Sequence, residues 1–415
     1  MQQDKSSAQS KTDPLDLVIA GGGMAGSMLA YVLLSQNPEL KLAIVEQSSD
    51  SEPSKASFDS RSIALAHGSV ELLQQWGLWQ DLHQSGCAIK HIHISDRGHF
   101  GKTYLNAADH QLSALGQVIE VEAIGEVLWQ KLKAFTAQGR LSWFYSDAIS
   151  ALNPTAELQH ISLQSGALLQ SKLLVIAEGG LSPSRTLAGF ELKSDDYQQH
   201  ALIANIGLAD SHQHKAFERF TPTGPLALLP LTRQRYSLVW TLTPEQAEHH
   251  LNQPDHEFLA ALQQAAGHRA GVFKTVGQRV VYPLSLKRAT EAARHRTVLL
   301  GNSLHNLHPI AGQGFNLAIR DIFSLSLLLQ KHQADSGCYQ LTKAYQQARL
   351  PDMQQVILYT DSLVRLFSNS SRLMALGRNT GLFALNLCPD LKQAVANQAM
   401  GLNSIRQLKA LLTSA

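Results

Sequence analysis

The sequence predicts an α/β fold in which a parallel-sheet domain is interrupted by a mostly antiparallel sheet and followed by a helical tail. Three observations predict it. Near the N-terminus, a strand-like apolar run (16–20), a helical pattern (24–35) and a second strand (41–46) follow one another at βαβ spacing. Between residues 201 and 282, short alternating runs typical of antiparallel strands take over. After Gly314 the periodicity is helical.

The elements follow in order from these patterns. The runs 172–177 and 297–300 are almost wholly apolar, which is typical of strands buried on both faces. The remaining predicted helices are 69–76, 122–135 and an insert at about 244–266. The remaining predicted strands are 89–96, a hairpin of 160–163 with 167–170, and 201–208, 216–221, 226–231, 236–242 and 279–282.

This interleaving predicts a discontinuous first domain. Its pieces are 15–88, 116–190 and 283–340, and the inserted sheet domain takes 89–115 and 191–282. Residues 341–415 form the helical C-terminal region. Residues 1–14 are polar and are predicted to form a disordered tail.

Composition excludes several classes of protein. A net charge of +2 over 415 residues offers no basic surface for nucleic acid. The three cysteines are scattered, which predicts neither a disulfide framework nor a metal site. The uncharged stretch 17–34 approaches the length of a membrane span, but its glycines and the strand that follows favour a nucleotide-binding unit. We expect a cytoplasmic location, and contact with the inner membrane surface stays open.

The first strand ends in a glycine motif. Gly21, Gly23 and Gly26 form G-x-G-x-x-G between a strand and a helix. This arrangement allows a tight turn, close approach of a pyrophosphate and close packing of helix on strand. Glu46 ends the second strand, where an acidic side chain accepts from ribose hydroxyls and disfavours a 2′-phosphate. The motif predicts binding of FAD or NAD.

Motifs later in the sequence distinguish between FAD and NAD. Glu178-Gly179 follows one buried strand, Gly301-Asn302 follows another, and residues 308–316 read HPIAGQGFN. In this order the chain resembles the FAD-dependent aromatic hydroxylases, with the p-hydroxybenzoate hydroxylase-like fold. Segments 58–65, 95–99, 115–118, 216–220 and 224–230 resemble its ubiquinone-biosynthesis branch. The resemblance implies a Rossmann-like FAD-binding domain with an inserted, mostly antiparallel β-sheet substrate domain and a helical C-terminal tail.

The second glycine motif is expected to meet the flavin. Gly312 and Gly314 remove side chains, Pro309 fixes the turn, and the helix from Gly314 presents N–H donors and a positive dipole end. Gln313 and Asn316 belong to the same motif. The resemblance further implies that Arg61 and Gln117 approach the flavin, that Glu178 and Gly179 contact the nucleotide or pyrophosphate region, and that Asn302 contacts the ribityl chain.

Three departures from the family pattern predict a weaker hold on FAD. Glu178 stands where the family has Asp, and Asn302 stands where Asp is usual. Glu122 and Ala123 stand where the family frequently has Arg.

The resemblance implies an FAD-dependent monooxygenase that hydroxylates a polyprenylated methoxyphenol in ubiquinone biosynthesis. NAD(P)H is the transient reductant, O2 is the co-substrate, and a flavin C4a-hydroperoxide carries the oxygen. Phe220, Leu228, Pro230 and Trp240 are candidate residues of the substrate pocket. The residues indicate no catalytic base.

Two alternatives stay open. In the first, the chain is an enzyme that hydroxylates another ring position or another phenol. In the second, the chain is a weakly FAD-binding, non-catalytic subunit of a ubiquinone-biosynthesis complex. The intact motif at 308–316 argues against the second alternative. Other ubiquinone-biosynthesis proteins or a membrane surface are candidate partners for the apolar helical tail, 354–412.

Overall fold

The computed structural model describes residues 13–49, 61–97, 102–307, 312–367 and 389–414. Its strands, in chain order, are β1 (Leu15–Ala20), β2 (Leu42–Glu46), β3 (Ser62–Ala66), β4 (Cys87–Ile89), β5 (His91–Asp96), β6 (Lys102–Asn106), β7 (Gly116–Glu120), β8 (Leu141–Tyr145), β9 (Ile149–Pro154), β10 (Gln159–Leu163), β11 (Leu168–Ile176), β12 (Leu192–Leu208), β13 (Lys215–Thr221), β14 (Gly224–Leu231), β15 (Arg235–Leu242), β16 (Phe273–Val276), β17 (Val280–Ala289), β18 (Ala293–Arg294), β19 (Thr297–Leu299) and β20 (His305–Asn306).

The α-helices of the same ranges cover the sheets and form the C-terminal region. They are α1 (Met24–Gln36), α2 (His67–Gln75), α3 (Trp79–Leu82), α4 (Val121–Ala137), α5 (Pro183–Leu187), α6 (Pro244–Asn252), α7 (Asp255–Ala266), α8 (Gln313–Lys331), α9 (Tyr339–Phe367), α10 (Pro389–Ala399) and α11 (Leu402–Ser414).

A parallel sheet forms the first layer, in the order β19-β11-β1-β2-β8. Its central strands are apolar along their length and almost fully buried, which is typical of a sheet that is covered on both faces. The predicted α/β fold is confirmed. One strand, β11, replaces the two separate strands that were predicted for 167–170 and 172–177. Its first half pairs antiparallel with β10, and its second half pairs parallel with β1 and β19.

The second sheet has the order β20-β17-β12-β15-β14-β13-β5-β6, with β16 also paired to β12. It is mostly antiparallel, but β13 runs parallel to β5. The predicted insert at 244–266 is two helices, α6 and α7. One face of the sheet packs with these helices in a closed apolar core that includes Leu228, Trp240, Phe258 and Leu262.

A three-stranded sheet, β3-β7-β4, joins the two larger sheets. Val118 of β7 lies in one apolar cluster with Ala216 and Leu231 of the second sheet, and Ala64 of β3 packs against this cluster. Arg235 donates two hydrogen bonds, of 3.1 and 3.0 Å, to the Glu120 carboxylate at the end of β7. These contacts place β3 between the first layer and the second sheet.

Several expectations stay predictions. The domain boundaries remain a prediction. The disordered N-terminal tail also remains a prediction, because residues 1–12 lie outside the described ranges. Of the predicted helical tail, the segment 368–388 is also outside them. Within the described part of the chain, no helix combines the length and hydrophobicity that crossing a bilayer requires.

A buried ionic cluster joins α8 to α9. Arg349 donates to Asp321 at 2.7 Å and contacts Asp352 at 2.7 Å, and Arg320 donates to Asp352 at 2.8 Å. Burial alone would raise the pKa of Asp352, yet Arg349 and Arg320 outweigh it and hold this pKa well below its usual range. Both carboxylates therefore stay ionised inside the protein.

Arg349→Met should destabilise the protein strongly, because it leaves two buried carboxylates without their shared cation. We expect a loss of about 3–5 kcal/mol in the free energy of unfolding, measured by urea denaturation. Lys131→Met is the control, because Lys131 pairs with Asp81 on the surface and its loss costs less than about 1 kcal/mol. Equal losses in the two variants would contradict this account of the cluster.

Candidate active site

The turn between β1 and α1 is built from glycines with different roles. Gly21 has a φ of +102°, and a Cβ there would lie 2.7 Å from the Ala177 carbonyl oxygen. A Cβ on Gly26 would collide with the Gly21 carbonyl. A Cβ on Gly23 would meet no atom within 4 Å. Gly21 and Gly26 are therefore required by the protein's own packing, whereas Gly23 borders open space.

Helix α1 begins at this open space without a side-chain cap and without an acidic residue in its first turn. Backbone N–H groups at a helix start and the helix dipole favour an anion. The turn therefore offers the arrangement that a pyrophosphate needs.

Glu46 at the end of β2 holds the glycine turn. Its Oε2 accepts from the Gly22 N–H at 2.6 Å, and its Oε1 accepts from the Ser48 N–H at 2.9 Å and the Ser48 hydroxyl at 2.8 Å. A carboxylate has about four acceptor positions, so these bonds leave room for another donor. Contact with a ribose stays a prediction.

Gly301 and Asn302 follow β19. Gly301 has a φ of +60°, and its N–H donates to Asp321 Oδ2 at 2.9 Å. The Asn302 side chain is exposed. Beside this turn lies Gly179, whose N–H donates to the Ser303 hydroxyl at 3.0 Å and whose Cβ position is open.

Helix α8 begins after Gly312, which is left-handed with a φ of +61° and faces Ala64 closely enough to exclude a Cβ. Asn316 fastens this start to β3. Its Nδ2 donates to the carbonyls of Ala64 and Gly312, and its Oδ1 accepts from the Ala66 N–H, at 2.7–2.8 Å. A Cβ on Gly314 would meet open space. Like α1, the helix has no side-chain cap and no acid in its first turn.

Three further predicted residues lie around this helix start. Gln313 is buried, and Arg61 is exposed with its guanidinium 5.6 Å from the centre of the Tyr282 ring. Gln117 lies half-buried on β7, in register with Leu65 of β3. Pro309, with His308, lies outside the described residues.

The Glu178 carboxylate accepts hydrogen bonds from groups of the protein itself. It accepts from the Ser182 hydroxyl at 2.7 Å and from the Ser184 hydroxyl and N–H at 2.6 and 3.0 Å. These bonds hold the carboxylate at the start of α5. A contact with the nucleotide stays a prediction, and it would come more readily from the open backbone of Gly179.

These residues meet at one edge of the parallel sheet, because the carboxyl ends of β1, β2, β11 and β19 all lie there. The edge has two uncapped helix starts and three open glycines: Gly23, Gly179 and Gly314. Open backbone and unshared N–H donors at two places suit a long ligand that is anionic in its middle and flat at one end. The donor set fits FAD.

The predicted substrate residues do not share one face of the second sheet. Leu228 and Trp240 lie in the closed core with α6 and α7, and two-residue alternation places Pro230 on the same face as Leu228. Phe220 lies on the opposite face, with Ala216. We call that opposite face the inner face. It is formed by Ala216, Glu218, Phe220, Ala227, Val239 and Tyr282.

Sequence reasoning missed Glu218 on the inner face. Its Oε1 is inaccessible and has no hydrogen-bond partner among the described residues. Burial raises the pKa of the Glu218 carboxyl to about 7. The signal that could have found it was a glutamate two positions from apolar residues on both sides, Ala216 and Phe220, which share its face of the strand.

A cluster of Cys87, His212 and His214 lies elsewhere, with its ligand atoms within 4.8 Å of one another. His212 Nε2 bonds the Leu231 carbonyl at 2.8 Å, and His214 Nδ1 bonds the Ala88 carbonyl at 3.1 Å. Because a carbonyl oxygen only accepts, both nitrogens carry protons in this arrangement. They act as donors here, which does not favour metal ligation.

Known proteins are similar to this chain over most of its length. Residues 14–360 match a family described as FAD binding domain. The chain is 31% identical over 390 residues to the ubiquinone hydroxylase UbiL of Rhodospirillum rubrum, covering 93% of this chain and 89% of that protein. It is 27% identical to the 3-demethoxyubiquinol 3-hydroxylase of Escherichia coli, covering 94% and 99%.

Solved structures share the fold. The probable FAD-dependent monooxygenase PqsL of Pseudomonas aeruginosa superposes with a TM-score of 0.74 at 22% identity, covering 90% of this chain and 100% of that chain. The p-nitrophenol 4-monooxygenase PnpA of Pseudomonas putida superposes with a TM-score of 0.74 at 14% identity, covering 94% and 99%.

Gly23→Ala and Gly26→Ala should separate cofactor binding from folding. In Gly23→Ala the new methyl group enters open space, so the free energy of unfolding of the apoprotein should change by less than about 1 kcal/mol. Its affinity for FAD should fall about 10-fold or more, because the methyl group keeps the pyrophosphate from the backbone. Gly26→Ala should destabilise the apoprotein itself by more than about 1 kcal/mol, because α1 must move off β1.

Thermal melting of both apoproteins and FAD titration by fluorescence check this pair. Unchanged FAD affinity in Gly23→Ala would contradict the placement of the pyrophosphate.

Proposed function

The chain belongs to the FAD binding domain family and is an FAD-dependent monooxygenase, and we propose that it hydroxylates the ring of a polyprenylated methoxyphenol in ubiquinone biosynthesis. The observation that carries the proposal is the meeting of the open start of α8 with the inner face across β3. The relatives named as ubiquinone hydroxylases support the pathway.

The chain's own residues prepare the site for this chemistry. When bound, FAD supplies electron transfer from NAD(P)H and the activation of O2. The start of α8 favours negative charge placed against it, and Gly314 leaves room for a flat ring there. Arg61 adds a positive charge on the Tyr282 side of the inner face.

The inner face suits an aromatic substrate. Ala227, Val239 and Phe220 give it apolar surface that keeps water away, and Val239 and Tyr282 are only half-buried, unlike the closed core on the other face. We infer that the phenol ring lies between this face and the start of α8. Phe220 is the one predicted pocket residue that this arrangement retains.

The reductant and the partners complete the proposal. The sequence has one dinucleotide fingerprint, so NAD(P)H is proposed to bind transiently, without a Rossmann unit of its own. Association with other ubiquinone-biosynthesis proteins or with a membrane surface stays a prediction.

Substrate-stimulated turnover tests the function. The purified protein, loaded with FAD, should oxidise NAD(P)H faster when a 2-prenyl-6-methoxyphenol with one isoprene unit is added. Under ¹⁸O2, mass spectrometry should find one labelled oxygen in the quinol product, because a monooxygenase transfers one atom of O2.

The methyl ether of the same phenol is the control, and it should give no labelled product. A new hydroxyl at a different carbon would identify another ring position. A flavin-bound protein that consumes no reductant would contradict the proposal and favour a non-catalytic subunit.

A further inference from the structure

Glu218 lies on the inner face of the second sheet. On β13 it follows Ala216 by two positions, so both side chains are on the inner face and about 7 Å apart. Ala216 belongs to an apolar cluster with Ile89, Val118 and Leu231, and Ala64 of β3, which a Cβ on Gly312 would strike, packs against this cluster. Glu218 is therefore on the face of the second sheet that packs with β3 and β7, and β3 contacts the start of α8.

Among the residues that the structure describes, no ion pair with the Glu218 carboxyl is found. In register with it are Ile94 on β5 and Ala227 on β14, both apolar. The described titratable groups on the same side include Tyr359, from α9, and Asp96, two positions further along β5. Tyr282 of β17 is on this face too, with the Arg61 guanidinium near its ring. Arg219, the next residue on β13, has its side chain on the opposite face of the sheet. Its guanidinium donates to the Ala266 carbonyl at the end of α7.

An unpartnered carboxyl is costly in a protein interior, and such groups concentrate where they perform chemistry. Burial raises the pKa of the Glu218 carboxyl to about 7, while burial and then the Glu218 charge raise the pKa of Tyr359. A free phenol has a pKa of about 10. Near neutral pH, Glu218 is thus a stronger base than an ordinary carboxylate, and Tyr359 stays protonated.

We propose that the Glu218 carboxylate accepts the proton of the substrate's ring hydroxyl, which makes Glu218 a catalytic residue of the reaction. The phenol O–H bond breaks, a carboxyl O–H bond forms, and the negative charge passes to the ring oxygen with no change of oxidation state. The phenolate is the more electron-rich ring and the better target for oxygen transfer. This inference rests on the proposed function.

Glu218→Gln tests the inference in the FAD-loaded protein. In the wild type, turnover of the short 2-prenyl-6-methoxyphenol should rise with pH through about 7, because the ionised Glu218 carboxylate then becomes available to accept the phenol proton. In Glu218→Gln the phenol should lose its proton only as the pH approaches its solution pKa of about 10. Turnover at neutral pH should fall about 100-fold or more, and its rise with pH through 7 should disappear.

Two variants and one stability measurement serve as controls. Glu218→Asp keeps a carboxyl at shorter reach and should recover part of the turnover. Glu248→Gln, exposed on α6, should leave turnover and its pH profile unchanged. Because the folded-state pKa of Glu218 is raised to about 7, this carboxyl lowers stability as pH rises from about 4.5, where it ionises in the unfolded chain, to about 7. Glu218→Gln should therefore melt no lower than the wild type at pH 8.

The outcomes separate the two proposals. An active wild type whose Glu218→Gln variant keeps the same turnover and the same pH profile would overturn the role of Glu218 alone. A wild type that hydroxylates none of the phenol would overturn the proposed function and this inference together.

Discussion

The buried carboxylate of Asp321 is the constraint on which the site depends. One oxygen accepts from the Gly301 N–H and from His305 Nε2, and the other accepts from Arg349. The Asp321 side chain is fully buried, as are those of His305 and Arg349. This carboxylate ties the end of β19 to α8, and Arg349 extends the tie to α9. The two halves of the later motif, the Gly301 turn and the start of α8, therefore stand in register before any ligand binds.

The protein's own hydrogen bonds hold the backbone turns and leave the approaches to them open. Glu46 holds the first glycine turn from the side of β2, and Asn316 holds the start of α8 against β3. Neither bond caps a helix, so the N-termini of α1 and α8 keep their donors for a bound anion or an electron-rich ring. Rigid turns around open glycines place a cofactor without deforming the protein, and such preorganisation is what flavin chemistry needs from its protein.

The sequence predicted those parts of the structure that local pattern determines. The βαβ unit at 15–46 and the motif at Gly312–Gly314 were predictable because apolar runs and glycine spacing act over a few residues. The assignment of Leu228 and Trp240 to the pocket depended on which face each strand turns to the cofactor. The face that a strand turns to the cofactor is set by pairing between distant strands and by packing against α6 and α7, and no local pattern encodes either. Glu218 and the internal bonds of Glu178 were missed for the same reason.

A crystal structure of the protein with FAD tests the central claim most directly, because it locates both ends of the cofactor at once. The account predicts the pyrophosphate at the N-terminus of α1 beside Gly23, and the isoalloxazine ring against the backbone at Gly314, facing the inner face of the second sheet. A ring bound away from α8, or a pyrophosphate away from α1, would contradict it.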